Sequence, residues 1–349
     1  MDACTAQLPR ICLLAAPETS PSVLYGLYDV LTSAGALYPE LTKGVPGQPI
    51  FDVKIVAAKS EPFRCYADVM VEPHCSIEAL DDAEVIIVCD VYQPTDTPPH
   101  GRYQAEIAWL RAMHARGSII ASVCSGSLIL AEAGMLDGLE AAGHWGYRDM
   151  FLRHYPRVKM REELVLCLSG EAQRIVTAGA VFSWQELALY LIARFGTPDQ
   201  AVQTAKLFLF SEHSDGQLPF AVQSPRIQTS DAAIQACQLW IAENYAVTNP
   251  VAHMAVRAGL KPRTFARRFL AATGYHPMDY VHILRVEEAK QMLETTSMPI
   301  EEVANEVGYE DSKAFQRLFK RKASLTPSAY RRKFARMAAI GRGDAAPAH

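Results

Sequence analysis

The sequence predicts two domains of different fold class, a parallel α/β domain followed by an all-α domain. Its 349 residues exceed what a single hydrophobic core usually serves. Short apolar runs alternate with helical segments only as far as about residue 210. Residues 231–349 hold 17 Lys and Arg against 12 Asp and Glu, whereas residues 1–230 hold 17 against 26. We therefore expect only the C-terminal domain to bind a polyanion.

Four apolar, β-branched runs predict the buried strands of the first domain. Between them lie helical segments such as "VLYGLYDVLTSAG" and "YQAEIAWLRAMHARG", each ending on a glycine that suits a helix C-terminus. This alternation implies a parallel sheet covered by helices on both faces. The predicted strands are "RICLLAA" (10–16), "FDVKIVAA" (51–58), "EVIIVCD" (84–90) and "SIIASVC" (118–124).

Residues 211–230 lose the apolar periodicity and gather Ser, Gln, Pro and Gly, a composition that predicts an interdomain linker. The first domain is accordingly expected at 9–210 and the second at 231–336. Residues 337–349 are expected to form a disordered tail.

One unit occurs twice after the linker. Residues 255–285 and 304–334 align with a single-residue insertion after a shared glycine, which indicates an internal duplication. The aligned pairs are Ala255 with Ala304, Gly259 with Gly308, Phe265 with Phe315, Arg267 with Arg317, Phe269 with Phe319, Pro277 with Pro327 and Tyr280 with Tyr330.

Each copy predicts a short helix, a turn at the glycine and a second helix. On the second helix the two phenylalanines stand i, i+4 and face the core, while basic side chains occupy another face. A basic helix face is often merely solvated. The duplication favours a helix-turn-helix, because guanidinium and amide groups on such a helix match base edges in the major groove.

Residues 231–336 resemble the C-terminal DNA-binding domain of the AraC/XylS transcription regulators. The resemblance rests on Gly308, Tyr309, Phe315, Arg317, Phe319, Pro327, Tyr330 and Arg331, and it departs at Ser324, where the family usually has glycine. It implies that bases are read by Arg263, Thr264 and Arg267 in the first repeat and by Lys313, Gln316 and Arg317 in the second. We expect phosphates to be held by Lys320, Arg321 and Arg332.

Cys124 occupies a tight turn in the first domain. It follows an apolar strand and precedes a helix, with small Ser122 and Gly126 two residues to either side. Such a turn presents a side chain above the sheet, toward helix N–H groups that favour a thiolate. The position suits a nucleophile, although a buried α/β turn can also hold a cysteine with no chemical role.

The residues around this turn resemble the PfpI-like branch of the class I glutamine-amidotransferase superfamily, in the version fused to AraC-type domains. The resemblance covers about residues 9–210 and implies a flavodoxin-like fold, a doubly wound parallel sheet. It rests on "LAEAGMLDG" (130–138), "GHW" (143–145) and "TAGAVFSWQELALYLIARFG" (177–196).

Catalytic members of that superfamily pair the cysteine with a histidine, and some use a carboxylate from the loop after the first strand. Here Ser125 follows Cys124, and Ser20 stands where the peptidase-type glutamate belongs. We therefore expect no catalytic histidine or carboxylate around Cys124, hence no catalytic residues and no enzyme. The domain is expected to bind a ligand in a pocket formed by Cys124, Ser125, His144 and Glu18.

Together the two domains predict a one-component transcription regulator. Its expected partners are double-stranded promoter DNA and a small effector, for which the family resemblance implies a nitrogenous metabolite. The resemblance implies a homodimer formed through the first domain, and RNA polymerase as a further partner if the protein is an activator, as many family members are. The alternative is a cysteine-dependent hydrolase or hydratase with an appended DNA-binding domain.

Several classes of protein are disfavoured. The N-terminus lacks a basic stretch followed by an apolar run, and no segment offers the ~18 apolar residues of a membrane span. The eight cysteines include no CxxC pair and no His partner at zinc spacing. We expect a cytoplasmic chain without a metal or a cofactor.

Overall fold

The structure is a computed structural model. It describes residues 8–222 and 229–341, with the side chains of the last helix described as far as Phe334. The chain divides after Gln217 into two compact units, Met1–Gln217 and Leu218–His349. In the ranges described, no helix is both long enough and apolar enough to cross a membrane.

The first unit is built on a sheet of seven strands: β1 (Arg10–Leu14), β2 (Asp52–Ala57), β5 (Cys75–Ser76), β6 (Val85–Val88), β7 (Ile119–Val123), β10 (Leu166–Ser169) and β11 (Ile175–Ala178). Their order is β10-β11-β7-β6-β1-β2-β5. Two short strand pairs lie outside this sheet: β3 (Phe63–Arg64) with β4 (Met70–Val71), and β8 (Glu140–Ala141) with β9 (Lys159–Met160).

Neighbouring strands of the main sheet run parallel, except that β10 is antiparallel to β11. Strands β1, β2, β6, β7 and β11, taken as first to fifth, are arranged 2-1-3-4-5, the order of a flavodoxin-like doubly wound sheet. The predicted fold class and all four predicted strands are therefore confirmed.

Helices cover both faces of this sheet. Alternate residues of β1 enter different cores: Ile11 and Leu13 pack with the helices at 21–33 and 184–195, and Cys12 and Leu14 with those at 104–115 and 126–132. The helices of the first unit are α1 (Pro21–Ser33), α2 (Leu37–Lys43), α3 (Gln104–Ala115), α4 (Gly126–Glu132), α5 (Arg148–His154), α6 (Trp184–Phe195) and α7 (Pro198–Phe208).

The described part of the second unit is helical. Its helices are α8 (Ala232–Glu243), α9 (Pro250–Arg257), α10 (Pro262–Thr273), α11 (Pro277–Thr295), α12 (Ile300–Glu306), α13 (Ser312–Ala323) and α14 (Pro327–Gly341). Helices α9 and α10 form the first helix-turn-helix, α12 and α13 form the second, and α11 connects them.

The two repeats share their core geometry. The Phe269 ring meets the Tyr280 ring edge-on, with centroids 5.3 Å apart at 84°. The aligned rings of Phe319 and Tyr330 are 5.4 Å apart, also at 84°. All four residues are buried. The two copies predicted from the sequence therefore also pack their aligned aromatic rings in the same way.

The division after Gln217 falls inside the expected linker, 211–230. Within the expected linker, Gln217 and Ala221 are buried, because each packs against its own unit. The expected disordered tail, 337–349, starts inside α14, which continues to Gly341 through the helix-forming run "FARMAA". Residues 342–349 of that tail, and 223–228 of the linker, lie outside the described residues.

Candidate functional site

Helix α10 presents the first predicted base-reading trio. Phe265 and Phe269 are fully buried in the core of the first repeat. Because a helix has 3.6 residues per turn, this burial turns other positions of α10 to solvent. The exposed residues include Arg263, Thr264 and Arg267.

Helix α13 presents the second trio. Its N-terminus is capped by Asp311, whose Oδ1 accepts a hydrogen bond from the backbone N of Lys313 (2.8 Å). Lys313 and Arg317 are exposed, and the half-buried Gln316 donates to Ser312 Oγ (3.3 Å). Arg317 Nη2 lies 3.9 Å from Asp311 Oδ2, an exposed ion pair of small energy that a DNA contact can replace. Base reading by both trios stays a prediction.

The predicted phosphate-binding residues are also exposed. They are Lys320 and Arg321 in the last turns of α13 and Arg332 on α14. Neighbouring Arg331 has a structural contact instead, because its Nη2 donates to the Met298 carbonyl oxygen (2.6 Å). Phosphate contact by the first three residues stays a prediction.

Arg285, on α11, is a buried cation that our sequence reasoning missed. Only 4% of it is exposed. Its guanidinium donates to the carbonyl oxygens of Tyr245 (2.7 Å), Val247 (3.0 Å) and Gly308 (2.9 Å), and it lies 4.9 Å from the centroid of the Tyr309 ring. Arg285 therefore connects the loop after α8 to the turn of the second helix-turn-helix. No sequence pattern reveals this role, because the acceptors are backbone atoms.

The turns of the two repeats depend on left-handed backbone. Gly308 has φ +85°, and a Cβ there would lie 2.4 Å from the carbonyl oxygen of Ala246. Ser324, which departs from the family pattern, has φ 59° and caps α13 as Gly274, with φ 77°, caps α10. The turn geometry is therefore kept, at the cost of a serine in a region that favours glycine.

Cys124 lies on a sharp turn between β7 and α4. Its φ is +53°, and its backbone N donates to the Ala178 carbonyl oxygen (2.8 Å). Gly126 permits the turn, since a Cβ at that position would lie 2.5 Å from the carbonyl oxygen of Val88. The thiol faces a cavity of about 300 Å³ lined by Ser20, Tyr66, Asp90, Val91, Tyr92, Cys124, His144, Tyr147 and Val181.

Asp90 is a carboxylate beside Cys124 that our sequence reasoning did not identify; the absence of a catalytic carboxylate there stays a prediction. Asp90 follows β6, which pairs in parallel with β7, so both residues emerge at the same edge of the sheet. Ser125 holds the carboxylate in place, its Oγ donating to Asp90 Oδ1 (2.5 Å) and its backbone N to the same oxygen (3.3 Å).

His144, one of the residues expected to form the ligand pocket, also lines this cavity. Its Nδ1 accepts a hydrogen bond from the backbone N of Gly146 (3.0 Å), which leaves Nε2 to carry the hydrogen of the neutral ring. Burial lowers the pKa of His144. The ring is therefore neutral at pH 7 and is not the imidazolium that would stabilise a thiolate.

The thiol itself is not activated. Burial, followed by the charge of Asp90, raises the pKa of Cys124 well above its ordinary value. We expected helix N–H groups to favour the thiolate, and burial outweighs them here. A protonated thiol is a poor nucleophile, so the three groups share a cavity without the electrostatics of an activated cysteine.

Two residues predicted to line this cavity do not. Ser125 is fully buried; its Oγ also accepts from the backbone N of Val91 (2.9 Å), so it orients Asp90 from behind. Glu18 accepts hydrogen bonds from Tyr103 Oη (3.0 Å) and from the guanidinium of Arg102. These hydrogen bonds hold both side chains in place, and neither side chain is part of the cavity lining.

The cavity is acidic and aromatic. Tyr66 and Tyr92 stack at its edge with centroids 5.1 Å apart at 13°, and Tyr147 lies deeper. Among the described residues that line it, Asp90 is the acidic side chain and there is no lysine or arginine. A carboxylate with surrounding aromatic rings is a set of groups that attracts a cation.

Two helix-turn-helix motifs in one unit and a partly open cavity in the other are typical of a two-domain DNA-binding regulator. A family model described as "DJ-1/PfpI family" matches residues 10–194, and one described as "Helix-turn-helix domain" matches residues 254–333. The chain belongs to the DJ-1/PfpI family and carries an AraC-type helix-turn-helix domain, as the sequence predicted.

Three curated proteins illustrate what the chain is similar to. The HTH-type transcriptional regulator CdhR of Pseudomonas aeruginosa is 27% identical over 78% of this chain and 80% of its own length. The HTH-type transcriptional regulator GlxA of Rhizobium meliloti is 26% identical over 72% of this chain and 76% of its own. Isonitrile hydratase of Pseudomonas putida is 28% identical over 40% of this chain and 54% of its own.

Proposed function

We propose that this transcription regulator responds to a small cationic nitrogen compound that binds in the Cys124 cavity and is not chemically altered. The observation that carries the proposal is the pairing of the Asp90 carboxylate with aromatic rings in a cavity that contains no lysine or arginine among its described lining residues. The protonated thiol supports binding without turnover.

Choline and its neutral carbon analogue, 3,3-dimethyl-1-butanol, test the charge requirement. Choline should raise the melting temperature of the full chain, because a ligand that binds only the native state stabilises it. The analogue has the same shape without the charge and should have little effect. The Asp90→Asn variant should lose most of the choline response. Equal shifts with both compounds, or no shift with either, would contradict the proposed ligand class.

DNA reading by α10 and α13 supplies the output. We propose that ligand binding changes affinity for promoter DNA and activates transcription together with RNA polymerase, in a cytoplasmic protein that dimerises through its first domain. Transcription in vitro from a promoter bound by the protein, with and without choline, tests activation. Sedimentation of the chain at several concentrations tests the dimer.

A second candidate is a cysteine-dependent hydratase or hydrolase. It is favoured by one observation, the presence of Cys124, Asp90 and His144 at a single cavity, and by the isonitrile hydratase similarity. Amidase, glyoxalase or hydratase turnover that disappears in Cys124→Ala would establish it and would displace the sensor proposal.

A further inference from the structure

The chain leaves the first unit through a buried glutamine. Gln217 is 4% exposed, and its Nε2 donates to the carbonyl oxygens of Leu164 (2.6 Å) and Gly143 (3.3 Å). Gly143 immediately precedes His144, which lines the Cys124 cavity. The exit point of the chain is thus bonded to the backbone of the cavity wall.

The same amide also lies against a second backbone segment, which leads to Val181 in the cavity lining. It packs so closely on Gly179 that a Cβ there would lie 1.8 Å from Gln217 Nε2. Gly179 follows Ala178, whose carbonyl oxygen accepts the backbone N–H of Cys124 (2.8 Å). Gln217 therefore contacts two backbone segments, each of which continues directly into the cavity.

One polar atom of the Gln217 side chain lacks a hydrogen bond. Within the part of the chain that the structure describes, Oε1 of Gln217 is buried and accepts no hydrogen bond. An unsatisfied buried acceptor is costly, so the bonded arrangement of Gln217 has little energy to spare.

Four residues further along, the chain is attached to the second unit. The carbonyl oxygen of Ala221, itself 2% exposed, accepts a hydrogen bond from Nζ of Lys290 on α11 (2.7 Å). Lys290 is 4% exposed and also pairs with Glu287 (2.9 Å). Donation from a buried ammonium makes this a strong attachment.

The preceding residue contacts α14. The Phe220 ring meets the Phe334 ring edge-on at 5.4 Å, and Nζ of Lys333 lies 4.8 Å from the centroid of the Phe220 ring. Helix α14 also carries Arg332, a predicted phosphate contact. The Phe220 ring therefore attracts a cation on a helix that we expect to face DNA.

We propose that residues 217–222, here called the strap, transmit occupancy of the cavity to the DNA-binding unit. Only three residues separate the two attachments, and one of them is Pro219, whose ring restricts the backbone, so little slack remains to absorb a displacement. Ligand binding that moves the wall at Gly143 releases the strap, and release frees α14 from Phe220. The identity of the ligand rests on the proposed function, whereas the strap rests on the contacts of Gln217, Phe220 and Ala221.

Substitutions at both ends test the strap in the full chain. Phe220→Ala should tighten binding to a duplex selected from a random pool by about three- to five-fold, and it should steepen the salt dependence of binding by about one phosphate contact. Val222→Ala is the matched control. Phe220 is 40% exposed and Val222 is 54% exposed, so neither change threatens folding. Equal effects of the two variants would overturn the proposal.

Gln217→Ala tests transmission from the other end, with exposed Gln48→Ala as its control. Removal of two hydrogen bonds should raise hydrogen exchange roughly ten-fold in peptides covering residues 143–147 and also in those covering 218–222 and 327–334. Faster exchange confined to residues 143–147, with DNA affinity equal to that of the Gln48 control, would show that nothing is transmitted.

Choline separates this proposal from the proposed function. It should tighten DNA binding by the wild type and leave that of Gln217→Ala unchanged, while raising the melting temperature of both. No thermal shift in the wild type would refute the ligand class and leave the two substitution tests of the strap standing. If choline raised the melting temperature of the wild type and of Gln217→Ala equally, and changed their DNA affinities equally, the strap would be refuted and the ligand class would stand.

Discussion

Arg285 Nη1 donates to the carbonyl oxygen of Gly308 across 2.9 Å, joining the helix between the two repeats to the turn of the second one. Two further donations, to Tyr245 and Val247, and the Tyr309 ring surround a cation that is almost fully buried. Arg285 therefore links α11 to the loop after α8 and to the turn between α12 and α13 through a single guanidinium.

Replacement of Arg285 by alanine should lower the free energy of unfolding of the DNA-binding unit by on the order of 3 kcal/mol, because three buried carbonyl oxygens lose a charged donor. Arg285→Lys should restore little, since an ammonium cannot reproduce the planar fork. Urea unfolding of the full chain measures both. Arg257→Ala, at an exposed arginine, is the control, and an equally small loss in all three variants would contradict this role.

Ser324→Gly should stabilise the protein by about 1 kcal/mol, because the left-handed backbone at this cap costs a serine roughly that amount and a glycine nothing. The reciprocal change, Gly274→Ser, places the same strain at the matching cap of the first repeat and should destabilise by a similar amount. Thermal unfolding of both variants checks the signs. Two changes in the same direction would mean that the caps are not equivalent.

Arg267→Ala should cost about 1–3 kcal/mol at one base pair and relax the preference there, because a guanidinium that reads a base edge discriminates among bases. Arg332→Ala should instead weaken binding to all sequences and reduce the salt slope by about one contact. A panel of single-base operator variants distinguishes these outcomes. If Arg267→Ala lowered the affinity for all operator variants equally and left the base preference unchanged, α10 would not read bases through this residue.

Asp90→Asn should speed alkylation of Cys124 by iodoacetamide near neutral pH, because removal of this negative charge lowers the pKa of the thiol. Burial is the larger cause of the raised pKa and is not removed by this substitution. The pH–rate profile of Cys124 should therefore move to lower pH but remain at higher pH than that of an ordinary cysteine. Peptide mass spectrometry follows Cys124, with the half-buried Cys75 as internal reference. An unchanged rate at Cys124 would show that Asp90 does not act on the thiol.

The sequence was sufficient wherever a local pattern carried the signal. Apolar runs located the strands, and the aligned phenylalanines and glycines located both helix-turn-helix motifs. The position of Asp90 beside Cys124 was also predictable from the sequence. The runs "EVIIVCD" and "SIIASVC" are predicted parallel strands, and Asp90 and Cys124 are their last residues. Adjacent parallel strands bring their final residues to one edge, and that geometric step identifies the carboxylate.

Other features depend on contacts that leave no local pattern. Arg285 and Gln217 bond to backbone carbonyls far along the chain, so nothing near either residue marks its partners. Glu18 was expected in the cavity because it lies two residues before Ser20, the position of the peptidase-type glutamate. Tertiary packing instead paired it with Tyr103 and Arg102, 85 and 84 residues away.

The left-handed turn at Cys124 has a consequence for how this protein can evolve. Its shape is set by the end of β7, by the hydrogen bond from the Cys124 backbone N to Ala178 and by the lack of a side chain at Gly126, and none of these depends on the thiol being reactive. A backbone that suits a nucleophile is thus inherited together with the ligand cavity. Descendants need only new side chains around position 124, and no rebuilding of the sheet, to gain chemistry or to discard it.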